Sequence, residues 1–215
     1  VGNLEVKHSN HRNIFMSTLD KADIDVMRAS HTCVSAVKFQ YDYLNDDVND
    51  FGHLDYSLSN KMPEALRQAI ADAKSKKKGA KRILVLINPP YAEAMNVDNT
   101  NATVSGKHAG AKKGVASTRI GSSMEGMGYA SRELFVQFLT RIKRELPAAT
   151  IAMFSTLKYI NAPNFAEFRE QWTADYLGGF VVHSRAFDGL KGDFPIGFLV
   201  WNTAKNSPAK KIRTV

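Results

Sequence analysis

The residues best suited to chemistry are four that follow an apolar run. Asn88, Pro89, Pro90 and Tyr91 come directly after Ile83–Ile87. The asparagine side chain offers a carbonyl acceptor, and the prolines have no N–H, so that backbone carbonyls there are free to accept hydrogen bonds. Tyr91 adds an aromatic face on which a flat ring can stack. The combination favours a site that holds an amino-bearing ring through two hydrogen bonds.

The elements around this tetrapeptide must place it at an accessible edge. Five apolar residues between two basic residues and two prolines predict a fully buried parallel strand, and open α/β sheets bind ligands at the carboxyl ends of such strands. Further strands are predicted at 13–19, 35–41, 150–155, 179–184 and 196–201, and helices at 22–30, 63–76, 131–146 and 165–176. Ser131 is the expected N-cap of the third helix. The alternation predicts an α/β fold with a doubly wound, mainly parallel sheet and an antiparallel pair at its edge.

Composition is that of an ordinary globular domain. The chain has 215 residues, of which 44% are hydrophobic and 23% charged, and no stretch reaches the roughly 18 apolar residues of a membrane span. The N-terminus does not have the form of a signal peptide. A single cysteine, Cys33, excludes an internal disulfide and gives no metal-ligand spacing. We therefore expect one soluble, cytoplasmic domain without a metal site.

The charge balance permits a polyanionic partner. The formal net charge is +8, and lysines are concentrated at 74–78, at 107–113 and in the tail 205–213. Such runs fit contacts to nucleic acid, and they equally fit a solvated surface. Residues 96–128 are rich in Gly, Ser, Asn and Lys with little periodicity, which predicts a long mobile loop beside the tetrapeptide.

Asn-Pro-Pro-Tyr after a hydrophobic strand resembles the catalytic motif of S-adenosylmethionine-dependent amino-methyltransferases, chiefly the class that methylates the 6-amino group of adenine in DNA. The resemblance implies a Rossmann-like sheet, S-adenosylmethionine as cofactor, and a catalytic role for Asn88, Pro89, Pro90 and Tyr91. Methyltransferases for RNA adenine, DNA cytosine and protein glutamine carry the same or a similar signature, so that these substrates stay open.

The resemblance extends to cofactor-binding positions. Asp42 matches an acidic residue at a strand end that accepts a hydrogen bond from the adenine of the cofactor; the alternative is a carboxylate that caps the next turn. Asp20 lies one or two positions after the place where the family carries a ribose-binding carboxylate. Asp20 or Asp23 can equally cap the following helix.

A third segment, residues 189–195, resembles the part of the family whose aromatic residue packs against the target base. Phe194 is the candidate, with Tyr159 and Phe187 as lesser alternatives, and its other interpretation is an ordinary core phenylalanine near Phe198.

The first residues resemble the end of the family's glycine-rich cofactor loop. Gly2 would bring the backbone close to the methionine part of the cofactor, with Asn3 beside it. The resemblance implies a fragment whose first strand, normally central in the sheet, precedes residue 1. We expect residues 1–203 to form an N-terminally truncated catalytic domain and 204–215 to form a basic tail.

The order of the motifs narrows the subclass. Asp42 precedes Asn88 by only 45 intervening residues, too few for an inserted recognition domain, and this order resembles the gamma class. The implied partner is double-stranded DNA, within a modification or restriction-modification enzyme whose specificity domain or subunit lies elsewhere. Self-association through an unpaired sheet edge is a further expectation. The non-catalytic alternative is a nucleic-acid-binding fragment that contacts phosphates without turnover.

Overall fold

The computed structural model describes residues 13–31, 33–91, 118–187, 192–204 and 212–214. Strands and helices alternate along most of this length. The strands are β1 (Phe15–Thr18), β2 (Val37–Gln40), β3 (Ile83–Ile87), β4 (Ala149–Thr156), β5 (Asp175–His183) and β6 (Pro195–Asn202). The helices are α1 (Lys21–Ala29), α2 (Glu64–Lys74), α3 (Arg119–Ser122), α4 (Leu134–Glu145), α5 (Lys158–Asn161) and α6 (Ala166–Gln171). None of these helices has the length and apolar character that crossing a bilayer requires.

The strands form two sheets. β1 and β2 pair in parallel, and the other four pair in the order β3-β4-β6-β5. β3 is parallel to β4, whereas β6 is antiparallel to both β4 and β5, so that three of these four strands share one direction. The predicted α/β class, the mainly parallel strands and the antiparallel pair at one edge are confirmed.

The prediction that β3 is buried on both faces is wrong for the described residues. Leu84 is 64% exposed and Leu86 45% exposed, while Ile83, Val85 and Ile87 pack against the main core. The described residues therefore cover only one face of β3. They also pair it with β4 alone. A continuous apolar run predicts a strand that is covered on both faces, but its composition does not reveal whether a layer of helices packs on each face of the sheet.

Two helix predictions need correction. Ser131 does not cap α4: the hydroxyl of Ser131 donates to the Gly128 carbonyl within a short 3-10 turn, and α4 begins after Glu133. The helix expected at 165–176 ends at Gln171, because the chain turns at Trp172 and enters β5 at Asp175.

The long loop is shorter than predicted at its far end. Residues 92–117 lie outside the described part of the chain, but Arg119–Ser122 form α3, and Ile120 is completely buried. The hydroxyl of Thr118 caps this helix by accepting from the Gly121 amide, and it also donates to the side-chain oxygen Oε1 of Gln137 on α4.

A buried arginine on α4 ties the turn after β2 to the core. Arg141 is 0% exposed, and its guanidinium donates to the backbone carbonyls of Tyr43 and Asp46 and to the Tyr41 hydroxyl at 2.7 Å. The cation also lies 4.3 Å from the centroid of the Tyr43 ring. One helical side chain therefore fixes two carbonyls and two aromatic rings of the same turn.

Glu145, one helical turn later, forms an ion pair with Arg141. It lies 3.5 Å from Arg141 and accepts hydrogen bonds from the hydroxyls of Tyr43 at 2.5 Å and Tyr56 at 2.8 Å. Burial, reinforced by the charge of Glu145, raises the pKa of both phenols well above the ordinary range, so that they remain protonated donors at neutral pH. Asp47 in turn accepts from the Tyr41 hydroxyl at 2.8 Å.

The exposed face of β3 allows a direct stability test. Replacing Leu84 by Ala should change the free energy of unfolding by no more than about 0.5 kcal/mol, because its side chain already faces solvent. Its neighbour Ile83 faces the core, and Ile83→Ala should cost about 1–2 kcal/mol, less than a fully buried isoleucine. Urea denaturation of both variants measures the difference. Equal losses would contradict the one-sided burial of this strand.

Removing the buried charge of Arg141 should destabilise the protein more than either change in β3. Arg141→Met should lower the free energy of unfolding by about 3–5 kcal/mol, because Glu145 then remains buried without its cation. Arg144→Met on the same helix is the matched control. Arg144 is exposed, and its guanidinium donates hydrogen bonds to the hydroxyl and the carbonyl of Ser123. We expect this variant to lower the free energy of unfolding by about 1 kcal/mol or less. Chemical denaturation monitored by circular dichroism compares the two, and similar losses would refute the structural role of Arg141.

Candidate active site at the strand ends

The tetrapeptide 88–91 lies at the carboxyl end of β3, as predicted. The Tyr91 hydroxyl donates to Asn88 Oδ1 at 2.8 Å, and this bond closes the Pro-Pro turn on itself. Partial burial raises the pKa of Tyr91, so that its hydroxyl is a donor at neutral pH. Asn88 and Pro90 are exposed and Pro89 is buried. The Asn88 carbonyl keeps a second lone pair for an incoming donor.

Asp42 lies at the end of β2, in the turn that Arg141 holds. Its carboxylate accepts from the Leu44 amide at 3.1 Å and from Asn45 Nδ2 at 2.8 Å. Its backbone amide donates to Asp46 Oδ2 at 2.8 Å. Asp42 thus caps its own turn, and each of its two oxygens retains a further lone pair that can accept a hydrogen bond from a ligand.

Asp20 lies at the end of β1, beside Asp42. The parallel register pairs Thr18 with Gln40, so that the two aspartates follow their strands in step. Asp20 Oδ1 accepts from the Ala22 amide at 2.9 Å and is the N-cap of α1. Asp23 is not the cap; its carboxylate accepts from the Thr18 hydroxyl at 2.8 Å.

Phe194 lies just before β6, which begins at the carboxyl end of β4 and therefore at the same end of the large sheet as the tetrapeptide. It is half-buried and lines an open depression of about 310 Å³ together with Val181, Val182, His183, Asp193 and Pro195. Asp193 contacts two neighbouring side chains, with its carboxylate 2.7 Å from His183 Nε2 and 2.7 Å from Arg185 Nη2. Asn88 and Tyr91 do not line the depression.

Of the two lesser aromatic candidates, Tyr159 lies in the core and Phe187 lies in a partly exposed aromatic cluster. Tyr159 is 1% exposed and accepts a hydrogen bond from Trp201 Nε1 at 3.1 Å. Phe187 packs edge-on against Phe154, which also contacts Phe180 and Phe198. These four phenylalanines form a cluster on the face of the sheet that carries Leu84 and Leu86, as the strand registers show.

The structure brings some predicted site residues together and leaves others apart. Asp20 and Asp42 share one edge of the small sheet, and Asn88 and Tyr91 share a hydrogen bond. In the described residues β1 and β3 are not paired; their amino-terminal ends meet through Lys81 Nζ and Asn13 Oδ1 at 2.9 Å. Gly2 and Asn3 lie outside the described residues, as do most of the basic tail and the lysines at 107–113.

Sequence reasoning missed the residues that hold the Asp42 turn. Arg141 and Glu145 lie seven and eleven positions after Leu134, on the apolar stripe of α4. Two charged residues on an apolar stripe indicate a buried ion pair, and this pattern is visible in the sequence. Asn45 carried no comparable signal, because a single asparagine in a turn is common. Within the described ranges no three His, Cys, Asp or Glu side chains are grouped as ligands of a metal ion would be.

No protein-family model and no curated protein matches this sequence. Solved structures do match its fold. One is a crystal structure from Listeria monocytogenes of a protein provisionally classed as a class I S-adenosylmethionine-dependent methyltransferase, with a TM-score of 0.52 and 10% identity over 100% of this chain and 52% of that chain. Another is a cryo-EM structure of a DrdV–DNA complex, with a TM-score of 0.43 and 16% identity over 83% of this chain and 18% of that chain.

The chain therefore spans about half the length of the Listeria protein. At 10% identity this likeness concerns the fold alone. The chain therefore has an α/β fold that is similar to the fold of the Listeria protein, with mainly parallel strands and an antiparallel pair at one edge.

Proposed function

We propose that this chain is the catalytic part of an S-adenosylmethionine-dependent methyltransferase that acts on the 6-amino group of adenine in DNA. The observation that carries the proposal is the Asn88 carboxamide, exposed at the carboxyl end of β3 and oriented by the Tyr91 hydroxyl. An amide oxygen with a free lone pair at this position is suited to an exocyclic amino group.

The strand ends supply acceptors for the cofactor. Asp42 would accept a hydrogen bond from its adenine, and Asp20 would accept from its ribose hydroxyls, because both carboxylates lie in step at one edge of the small sheet. Gly2 and Asn3 would contact its methionine part. Both aspartates already accept backbone hydrogen bonds, which hold them in place for a ligand. S-adenosylmethionine supplies the electrophilic methyl group.

The residues of the tetrapeptide act on the target base. The base leaves the duplex at a cost of a few kcal/mol of unstacking. Asn88 Oδ1 and the Pro89 carbonyl accept hydrogen bonds from its 6-amino group and stabilise the positive charge that forms on nitrogen. Tyr91 stacks on one face of the ring and Phe194 on the other. Tyr91 follows the carboxyl end of β3, and Phe194 precedes β6 at the carboxyl end of β4, so that both rings lie at the same end of the large sheet.

The substrate class rests on the tetrapeptide and on charge. A net charge of +8 suits a polyanion better than a protein glutamine. The order of Asp42 before Asn88 supports a gamma-type arrangement, in which a separate domain or subunit supplies sequence recognition. Such an enzyme belongs to a modification or restriction-modification system.

Cofactor affinity depends on how the two sheets are joined. Among the described residues, β1 and β3 each have an unpaired edge, and their amino-terminal ends meet at Lys81 and Asn13. Adjacent strands lie about 4.8 Å apart, and a lysine side chain is long enough to bridge the width of one strand. We propose that one further strand fills this space and completes the cofactor site. Self-association through these edges is the competing way to pair them.

Calorimetric titration with S-adenosylhomocysteine tests the cofactor site. The 215-residue chain should bind more weakly than a longer form that carries the complete glycine-rich segment and its strand, because the added strand pairs with β1 and β3. Asp42→Ala should abolish binding in both. Binding by neither form would overturn the methyltransferase proposal and favour the non-catalytic nucleic-acid-binding alternative. Equal binding by both would refute the missing strand.

Methyl transfer to DNA tests the tetrapeptide. In the form that binds cofactor, Asn88→Ala should lower the transfer rate by about 10²–10³-fold, the effect of removing one preorganised hydrogen-bonding group, while cofactor affinity changes little. Asn161→Ala, an exposed asparagine at the end of α5, is the matched control and should retain full activity. Transfer of tritiated methyl groups to adenine-containing and adenine-free duplexes gives the rate and the base. Activity on the adenine-free duplex would replace adenine by cytosine as the target.

A further inference from the structure

We propose that Asn45 is a positioning residue that orients Asp42 towards the amino group of the cofactor's adenine. This inference rests on the proposed function. Asn45 Nδ2 donates to Asp42 Oδ2 at 2.8 Å, while Asn45 Oδ1 accepts from the Arg119 amide at 2.9 Å. The carboxamide therefore joins the carboxylate at the end of β2 to the first residue of α3.

Only an amide side chain of this length can make both bonds. It carries a donor and an acceptor on one planar group, so that fixing the oxygen also fixes the direction of the N–H bonds. A serine hydroxyl is too short for both partners, and an aspartate has no donor at neutral pH and would repel Asp42. Local capping of the turn would need only the Leu44 amide, which Asp42 already has.

The acceptor side of Asn45 is firmly held. Arg119 Nη1 donates to the Val48 carbonyl at 2.7 Å, and the Ile120 amide donates to the Leu44 carbonyl at 3.2 Å. Ile120 is completely buried, which anchors α3 against the turn. From the opposite side Arg141 holds the Tyr43 and Asp46 carbonyls. The turn is thus fixed by α3 and α4, and Asn45 transmits that rigidity to the Asp42 side chain.

An oriented Asp42 carboxylate should discriminate between 6-amino and 6-oxo purines. An ionised carboxylate is acceptor only, and an oriented one presents its remaining lone pairs in one direction. A ring edge with an amino group satisfies that acceptor, whereas a ring edge with a carbonyl faces it with a second acceptor and is rejected. Asn45 should therefore affect discrimination between 6-amino and 6-oxo purines more than affinity as such.

The test compares S-adenosylhomocysteine with S-inosylhomocysteine, its 6-oxo analogue, by calorimetry. The wild-type chain should prefer the 6-amino ligand, and Asn45→Ala should reduce that preference by about tenfold. Asn49→Ala is the matched control. Asn49 stabilises the next turn by accepting from the Phe51 and His53 amides at 3.0 and 2.9 Å, and its loss should leave the preference unchanged. A purely structural role for Asn45 would weaken both ligands equally.

A second variant separates orientation from anchoring. Asn45→Asp keeps an acceptor for the Arg119 amide and loses the donor to Asp42, so that the preference should fall while hydrogen exchange of the Arg119 amide stays slow. Asn45→Ala should lower the preference and also speed that exchange. An unchanged preference in both variants would overturn the inference. If neither the 215-residue chain nor the longer form binds either ligand, the proposed function fails and the role of Asn45 fails with it. Binding without preference refutes the orientation alone.

Discussion

The arrangement of the strand ends depends on one buried cation. Arg141 is completely buried, and the two terminal nitrogens of its guanidinium donate to a turn that has no regular secondary structure of its own. Burying a charge is costly unless it is paired and hydrogen-bonded. Glu145 supplies the pairing, and the carbonyls of Tyr43 and Asp46 supply the bonds. The turn after β2 is consequently held to α4, which itself packs on the large sheet.

The two sheets carry different candidate site residues. The large sheet supplies Asn88 and Tyr91, the small sheet supplies Asp20 and Asp42, and α4 connects the Asp42 turn to the core beneath the large sheet. Direct strand pairing does not join the two sheets among the described residues. The polar network of Arg141 and Glu145 joins the turn after β2 to α4, and a satisfied polar network makes a buried arrangement rigid.

Much of the fold was predictable from residue patterns. The bounds of β3 were predicted correctly, and the helices α1, α2 and α4 were expected within a few residues of their observed limits. The failures share one cause. Full burial of β3, the Ser131 cap and the long final helix were inferred from local sequence, whereas the exposure of Leu84, the hydrogen bond of Ser131 and the turn at Trp172 depend on which elements pack nearby. Tertiary packing overrides local preference in such places.

The sequence by itself determined which residues stand at strand ends, because alternating apolar periodicity and proline locate the ends of elements. It therefore placed Asn88, Asp20 and Asp42 at strand ends, and the resemblance to the methyltransferase family made them candidates for the site. Only the tertiary structure decided how these side chains are held: Tyr91 on Asn88, Asn45 on Asp42, and Arg141 beneath the turn. Arg141 lies 99 positions after Asp42, and their relation follows from packing of α4 against the turn. Periodicity along the chain contains no information about such distant contacts.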